Sequence, residues 1–86
     1  MANPLRPSWW EWDLFVSAHA LERMAERDFS ELDLRTMLHD AHRVVRDIEP
    51  GRWVVEARLR EWPWEIILEP DGDARRIIVV TAYPLD

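Results

Sequence analysis

The chain has 86 residues, enough for one domain around one core, and its 48% apolar content argues against global disorder. It holds no cysteine, which excludes a disulfide framework and a thiolate metal site and makes a reducing cytoplasm the default expectation. The net charge of −6 argues against a protein that grips nucleic acid with its whole surface, so any RNA or DNA contact needs a local cluster.

Residues 1–16 read as an arm and residues 17–86 as a single domain. Pro4 and Pro7 make the first eight residues irregular. Ser8 with Glu11 fits a capping box for a short turn bearing Trp9, Trp10 and Trp12, whereas Leu14 to Val16 also fit an extended segment; the residues leave both open. Glu11 and Asp13 interrupt this apolar stretch, so no signal peptide or membrane contact is expected from it.

Ser17 is a good N-cap for a helix over about 18–27, with Leu21, Met24 and Ala25 at helical spacing toward the core. The second helix is signalled more clearly. Phe29, Ser30, Asp33 and Leu34 occupy the N′, N-cap, N3 and N4 positions of a capping box with a hydrophobic staple. Leu34, Met37, Leu38 and Ala41 then form an i, i+3, i+4, i+7 stripe.

After residue 42 the period becomes that of strands. Val44, Val45 and Ile48 make the first, and Glu49-Pro50-Gly51-Arg52 a turn. Trp53, Val55, Ala57 and Leu59 alternate with Val54, Glu56, Arg58 and Arg60. Glu61-Trp62-Pro63 breaks that strand, and Trp64, Ile66 and Leu68 carry the next. Pro70-Asp71-Gly72-Asp73 turns the chain into a last strand from Arg76 to Tyr83. The expected fold is α+β, with two N-terminal helices on one face of a four-stranded antiparallel meander (ααββββ). The other face, with Glu56, Arg58, Arg60, Glu65 and Glu69, is open and charged.

Several residues bear on chemistry. His19, Arg23 and Arg27 stand at i, i+4 and i+8 on the first helix. Surface ion pairs with Glu22 and Glu26 explain the arginines; a site where His19 moves a proton and Arg23 binds phosphate explains all three. His39 and His42 straddle the end of the second helix, but a metal needs three or four converging ligands and no metal is expected there. Asp47, Glu49 and Glu56-Ala57-Arg58 loosely match a metal-dependent nuclease pattern without its usual lysine. Of the six tryptophans, Trp53 and Trp64 fall on the inward strand faces. Trp9, Trp10 and Trp12 either form a partner surface or fold back over a thin core.

The run Ser17-Ala18-His19-Ala20-Leu21-Glu22-Arg23-Met24-Ala25-Glu26-Arg27 resembles the Ser-x-His-Ala-x-x-Arg-Met-x-x-Arg-Gly opening of the DUF4258 family, and Val79 to Pro84 looks like that family's last strand. Asp28 stands where the family often has glycine, which asks a left-handed conformation of an aspartate. The resemblance implies a fold similar to the RelE and BrnT toxins, within the barnase–EndoU–colicin–RelE group of small ribonucleases. It implies metal-independent, cofactor-free RNA cleavage, with His19 as general base or acid, Arg23 on the phosphate, Arg27 orienting it, and Thr81 and Tyr83 positioning substrate. Arg58, on the open sheet face, joins that set on position alone. RNA is then the expected substrate. The alternative is a non-catalytic regulatory module of the same fold whose tryptophan arm meets a protein partner: an antitoxin, an immunity protein or a second copy.

Overall fold

The computed structural model describes residues 6–85. In chain order the elements are β1 (Asp13–Val16), α1 (Ala18–Glu26), α2 (Glu31–His39), β2 (Arg43–Arg46), β3 (Trp53–Leu59), β4 (Trp62–Asp71) and β5 (Arg76–Pro84). The α+β class and the two helices on one sheet face stand. The sheet itself differs from the expected four-stranded meander: it has five strands in the order β1-β5-β4-β3-β2, and β1 runs parallel to β5. The extra strand is the extended alternative for Leu14 to Val16. Leu14 and Val16 face the core while Phe15 points away, so even four residues alternate well enough to add an edge.

Both helix starts are capped by serine. The Ser17 hydroxyl accepts from the Ala20 amide at 3.1 Å. Ser30 and Asp33 exchange reciprocal bonds of 3.1 and 2.9 Å, the full capping box. The amide of Ser30 holds the Asp33 carboxyl below the usual carboxylate range. Between the helices, Asp28 takes the left-handed conformation (φ 57°). The Asp28 amide donates to Ala25 and the Phe29 amide to Met24, a Schellman ending achieved without glycine.

The buried face of α1 is not the expected Leu21–Met24–Ala25 surface. Ala20 and Met24 are buried, while Leu21 is 52% exposed. Two bonds set this rotation: the Ser17 amide donates to the Val79 carbonyl at 3.2 Å, and the Ser17 hydroxyl to the Val80 carbonyl at 3.1 Å. The small side chain of Ala20 then lets α1 approach β5 closely. The α2 stripe of Leu34, Met37, Leu38 and Ala41 is buried as its spacing predicts.

Strand alternation is also as expected. Val55 and Ala57 on β3, and Trp64, Ile66 and Leu68 on β4, are buried against the helices. The break at residues 61–63 is shorter than expected: Arg60 and Glu61 form a two-residue turn with positive φ (51° and 69°), and Trp62 and Pro63 already belong to β4. Arg60 therefore leaves the open face and reaches Asp33 at 3.6 Å.

The arm folds back. Trp9 is 8% exposed and meets Trp53 edge-on at 5.3 Å. Trp10 and Trp12 pack half-buried against the same core. Arg6 bonds the Ala41 carbonyl beyond α2 and lies 4.6 Å from the Trp10 ring centre. Truncating a fully packed aromatic costs about 3–5 kcal/mol, whereas a half-exposed one loses mainly its hydrogen bond, about 1 kcal/mol. Urea unfolding is expected to show the first loss in Trp9→Ala and only the second in Trp62→Ala, whose ring is 56% exposed and bonds the Leu85 carbonyl.

Candidate functional site

The first helix and the last strand lie side by side, tied at Ser17. Strand β1 pairs with β5 only from Arg76 to Val79, so the remaining length of β5 has no strand neighbour on that side among the described residues. Helix α1 is anchored to this stretch of β5 through Ser17 and packs on the strand with Ala20 and Met24 buried. His19 emerges two residues after the anchor and is exposed. Arg23, one turn further, is bonded to Glu26 at 2.7 Å, with both side chains about half exposed. Arg27 closes the stripe as the C-cap residue of α1 and is exposed.

Thr81 and Tyr83 project from the uncovered sheet face. Strict alternation from the buried Ile77 and Val79 would turn both inward. A register shift opposite Ile67 and Leu68 leaves Val80 as an extra residue on β5; beyond it Ala82 is buried and Thr81 and Tyr83 face out. Thr81 pairs with Ile67 and Tyr83 with Glu65. The Tyr83 hydroxyl donates to Glu65 Oε1 at 2.6 Å. That bond, with partial burial and the negative charges of Glu65 and Asp47, pushes the Tyr83 phenol up to about 12.

These groups do not form one constellation: α1 lies on the covered face of the sheet, whereas Thr81 and Tyr83 project from the other. Among the described residues no hydrogen bond or ion pair joins His19 or Arg23 to Thr81 or Tyr83; Arg23 is held by Glu26 and Tyr83 by Glu65. Arg58 lies away from them on β3, exposed, donating to the Glu61 carbonyl of its own hairpin at 3.4 Å. Trp9, offered by the sequence as a binding residue, has its ring in the core; Trp10 and Trp12 retain part of their surface.

Spacing puts Glu56 and Glu65 on the open face; it does not show that Arg43 and Tyr83 extend them into a row. Arg43, Glu56, Glu65 and Tyr83 are successive cross-strand partners on β2, β3, β4 and β5. Two carboxylates directly opposite each other repel, and Arg43, 3.5 Å from Glu56, together with the Tyr83 hydroxyl on Glu65, offsets that repulsion. His42 stands 3.9 Å from Glu56. Among the described residues no three His, Asp or Glu side chains converge as metal ligands, and the Asp47 carboxylate accepts from the Ile48 amide.

A sequence model of the family described as a domain of unknown function, DUF4258, matches residues 16–84. No curated protein and no solved structure matches the chain.

The Tyr83–Glu65 bond fixes a pH response. Phenolate absorbance is expected to titrate with a midpoint near 12 in the wild type and to fall back toward about 10 in Glu65→Gln. The folded value lies above the unfolded one, so the stability this bond contributes is intact below about pH 10 and is lost as pH rises through about 12. A wild-type midpoint at the ordinary tyrosine value would show that the bond does not form.

Proposed function

The chain belongs to the DUF4258 family, and from that premise we propose that it is a metal-independent endoribonuclease of the RelE-like, toxin type, working at the free edge of β5. The observation that supports the reading is the Ser17 anchor on Val79 and Val80, which ties the start of the helix bearing His19 and Arg23 to the strand bearing Thr81 and Tyr83.

The reaction needs few parts. The ribose 2′-hydroxyl gives its proton to a base and attacks the adjacent phosphorus. The bond to the 5′-oxygen breaks, that oxygen takes a proton from an acid, and a 2′,3′-cyclic phosphate and a 5′-hydroxyl remain. His19 serves as one of the two proton-transfer groups, since histidine is the side chain suited to both directions near neutral pH. Arg23 steadies the phosphate. It must first leave Glu26, and an exposed pair of that kind is worth only about 0–1 kcal/mol, less than a charge-assisted bond to phosphate returns. Arg27 extends the cationic stripe along α1. Tyr83 stays protonated at neutral pH, so with Thr81 it acts as a hydroxyl donor and not as a base. Arg58 sits further out on the open face, where it meets a neighbouring phosphate.

One observation favours a second reading, a non-catalytic module bound by an antitoxin, an immunity protein or a second copy. On the open face Arg43, Arg52 and Arg76 are each matched to a carboxylate, on Glu56, Glu69 and Asp71, which leaves little field there for a polyanion. With Trp9 buried, that partner would meet the uncovered sheet and the remaining surface of Trp10 and Trp12.

Incubation with a mixed-sequence RNA in the presence of EDTA separates the two. The nuclease reading expects 2′,3′-cyclic phosphate ends, a rate reduced by about 10²–10⁴ in His19→Ala, and an unchanged melting temperature, since His19 is exposed. Intact RNA after treatment with folded protein at stoichiometric concentration would overturn it and leave the module.

A further inference from the structure

A chain of net charge −6 holds a polyanion only where cations collect without matching carboxylates. Among the described residues six arginines stand 2.7 to 3.6 Å from a carboxylate oxygen. Arg6 and Arg46 do not, and both lie instead against indoles of one tryptophan cluster. The Arg6 guanidinium is 4.6 Å from the Trp10 ring centre, and that of Arg46 is 4.9 Å from the Trp53 ring centre. Trp9 joins these two indoles, 5.7 Å from Trp10 and 5.3 Å from Trp53. Trp9 belongs to the core, whereas Trp10 and Trp53 keep part of their surface and Arg46 is exposed.

The two cations stand at opposite ends of β2. Arg6 donates to the Ala41 carbonyl, just before the strand, and Arg46 is its last residue. Strand β2 is the last in the sheet, so its outer edge has no strand neighbour among the described residues. Residues 41–46 include no carboxylate, and the Asp47 carboxylate that follows accepts from the Ile48 amide. Arginine charge on an edge strand guards it against pairing with another strand, and that role needs no ring. Stacking adds something else. An indole holds a guanidinium by one face and leaves its in-plane N–H groups available. Arg6 uses one nitrogen on Ala41, and among the described residues Arg46 donates no hydrogen bond. Free guanidinium forks beside partly open indoles suit phosphates and unstacked bases.

We propose that Arg6, Arg46 and Trp10 form a binding site for single-stranded RNA along the outer edge of β2. Two phosphates take the guanidiniums, and a base stacks on the uncovered part of Trp10. A duplex fits less well, because its bases are not free to stack on a side chain. Arg6 and Trp10 precede the family match, which begins at residue 16, so this contact belongs to the arm. The inference rests on the proposed ribonuclease reading only for the choice of polymer, and it is tested by binding without cleavage.

A labelled 2′-O-methyl oligonucleotide of mixed sequence, which lacks the attacking hydroxyl, is the probe. Fluorescence anisotropy over a series of salt concentrations reads its binding. Saturable binding is expected, with log K falling linearly against log salt. Arg46→Gln is expected to make that slope shallower by about 0.7, the share of one phosphate contact, at an unchanged melting temperature because Arg46 is exposed. Trp10→Leu is expected to weaken binding by at least about fivefold. Arg75→Gln removes the same charge from the turn between β4 and β5 and is expected to leave the slope in place. No saturable binding, an unchanged slope in Arg46→Gln, an equal change in Arg75→Gln, or tighter binding of the matched duplex would each overturn the proposal. RNA cleaved by a chain that does not hold the probe would remove this site and leave the nuclease; a probe held by a chain that cleaves nothing would do the reverse.

Discussion

The edge-on contact between Trp9 and Trp53 closes a core that two short helices cannot cover alone. Each helix has nine residues, about 14 Å of length, while five strands span about 19 Å at their usual spacing. Helix α1 lies on β5 and α2 on β3, which leaves one end of the covered face to the arm. The arm answers with aromatic area. Trp9 fills the gap, Trp10 packs on Trp9 at 5.7 Å, and guanidiniums of Arg6 and Arg46 close the cluster from either end. The arm and the domain are thus energetically one unit, although the family match begins only at residue 16.

The extra residue at Val80 has a comparable influence on the open face. One slip of register exchanges the two faces of a strand. Before the slip β5 buries Ile77 and Val79; after it the buried residue is Ala82. Thr81 and Tyr83 are thereby turned out to meet Ile67 and Glu65. The same stretch of backbone receives the Ser17 clamp. The anchoring of α1, the end of β1 pairing and the change of face on β5 therefore all fall within residues 79–81. A local distortion next to a sheet edge is a common way of re-aiming side chains toward a ligand.

What was legible in the sequence follows from how local each cause is. Ser30, Asp33, Phe29 and Leu34 announce α2 within five residues, because capping is a contact between near neighbours. Asp28 reads as a left-handed residue for the same reason, and φ is 57°. The alternation of β3 and β4 names Val55, Ala57, Trp64, Ile66 and Leu68 as core, and all are buried. The remaining features have distant causes. Strand β1 is four residues long and its partner begins at Arg76, so no hairpin signal reveals it. The rotation of α1 is set by bonds from Ser17 to Val79 and Val80, not by the stripe of Leu21 and Ala25. The place of Tyr83 beside Glu65, at the end of the row that starts with Arg43 and Glu56, depends on the shifted register, which a strictly alternating pattern hides.

Electrostatics is the harder constraint on any role with RNA. The protein as a whole repels a polyanion, since its net charge is −6. Screening confines that repulsion to about 8–10 Å at moderate salt, so a local excess of cations can still prevail. The distribution of pairs decides where such an excess lies. Arg43, Arg52, Arg60 and Arg76 are neutralised by carboxylates across strands or between elements. Among the described residues Arg6, Arg27, Arg46, Arg58 and Arg75 form no ion pair, while Arg23 is bonded to Glu26 at 2.7 Å. Arg27 ends the helix that bears His19, and Arg58 stands on the open sheet face. Cations without a carboxylate partner therefore stand both at the end of α1 and on the uncovered sheet, and a polyanion would meet the carboxylates of the cross-strand pairs wherever it left them.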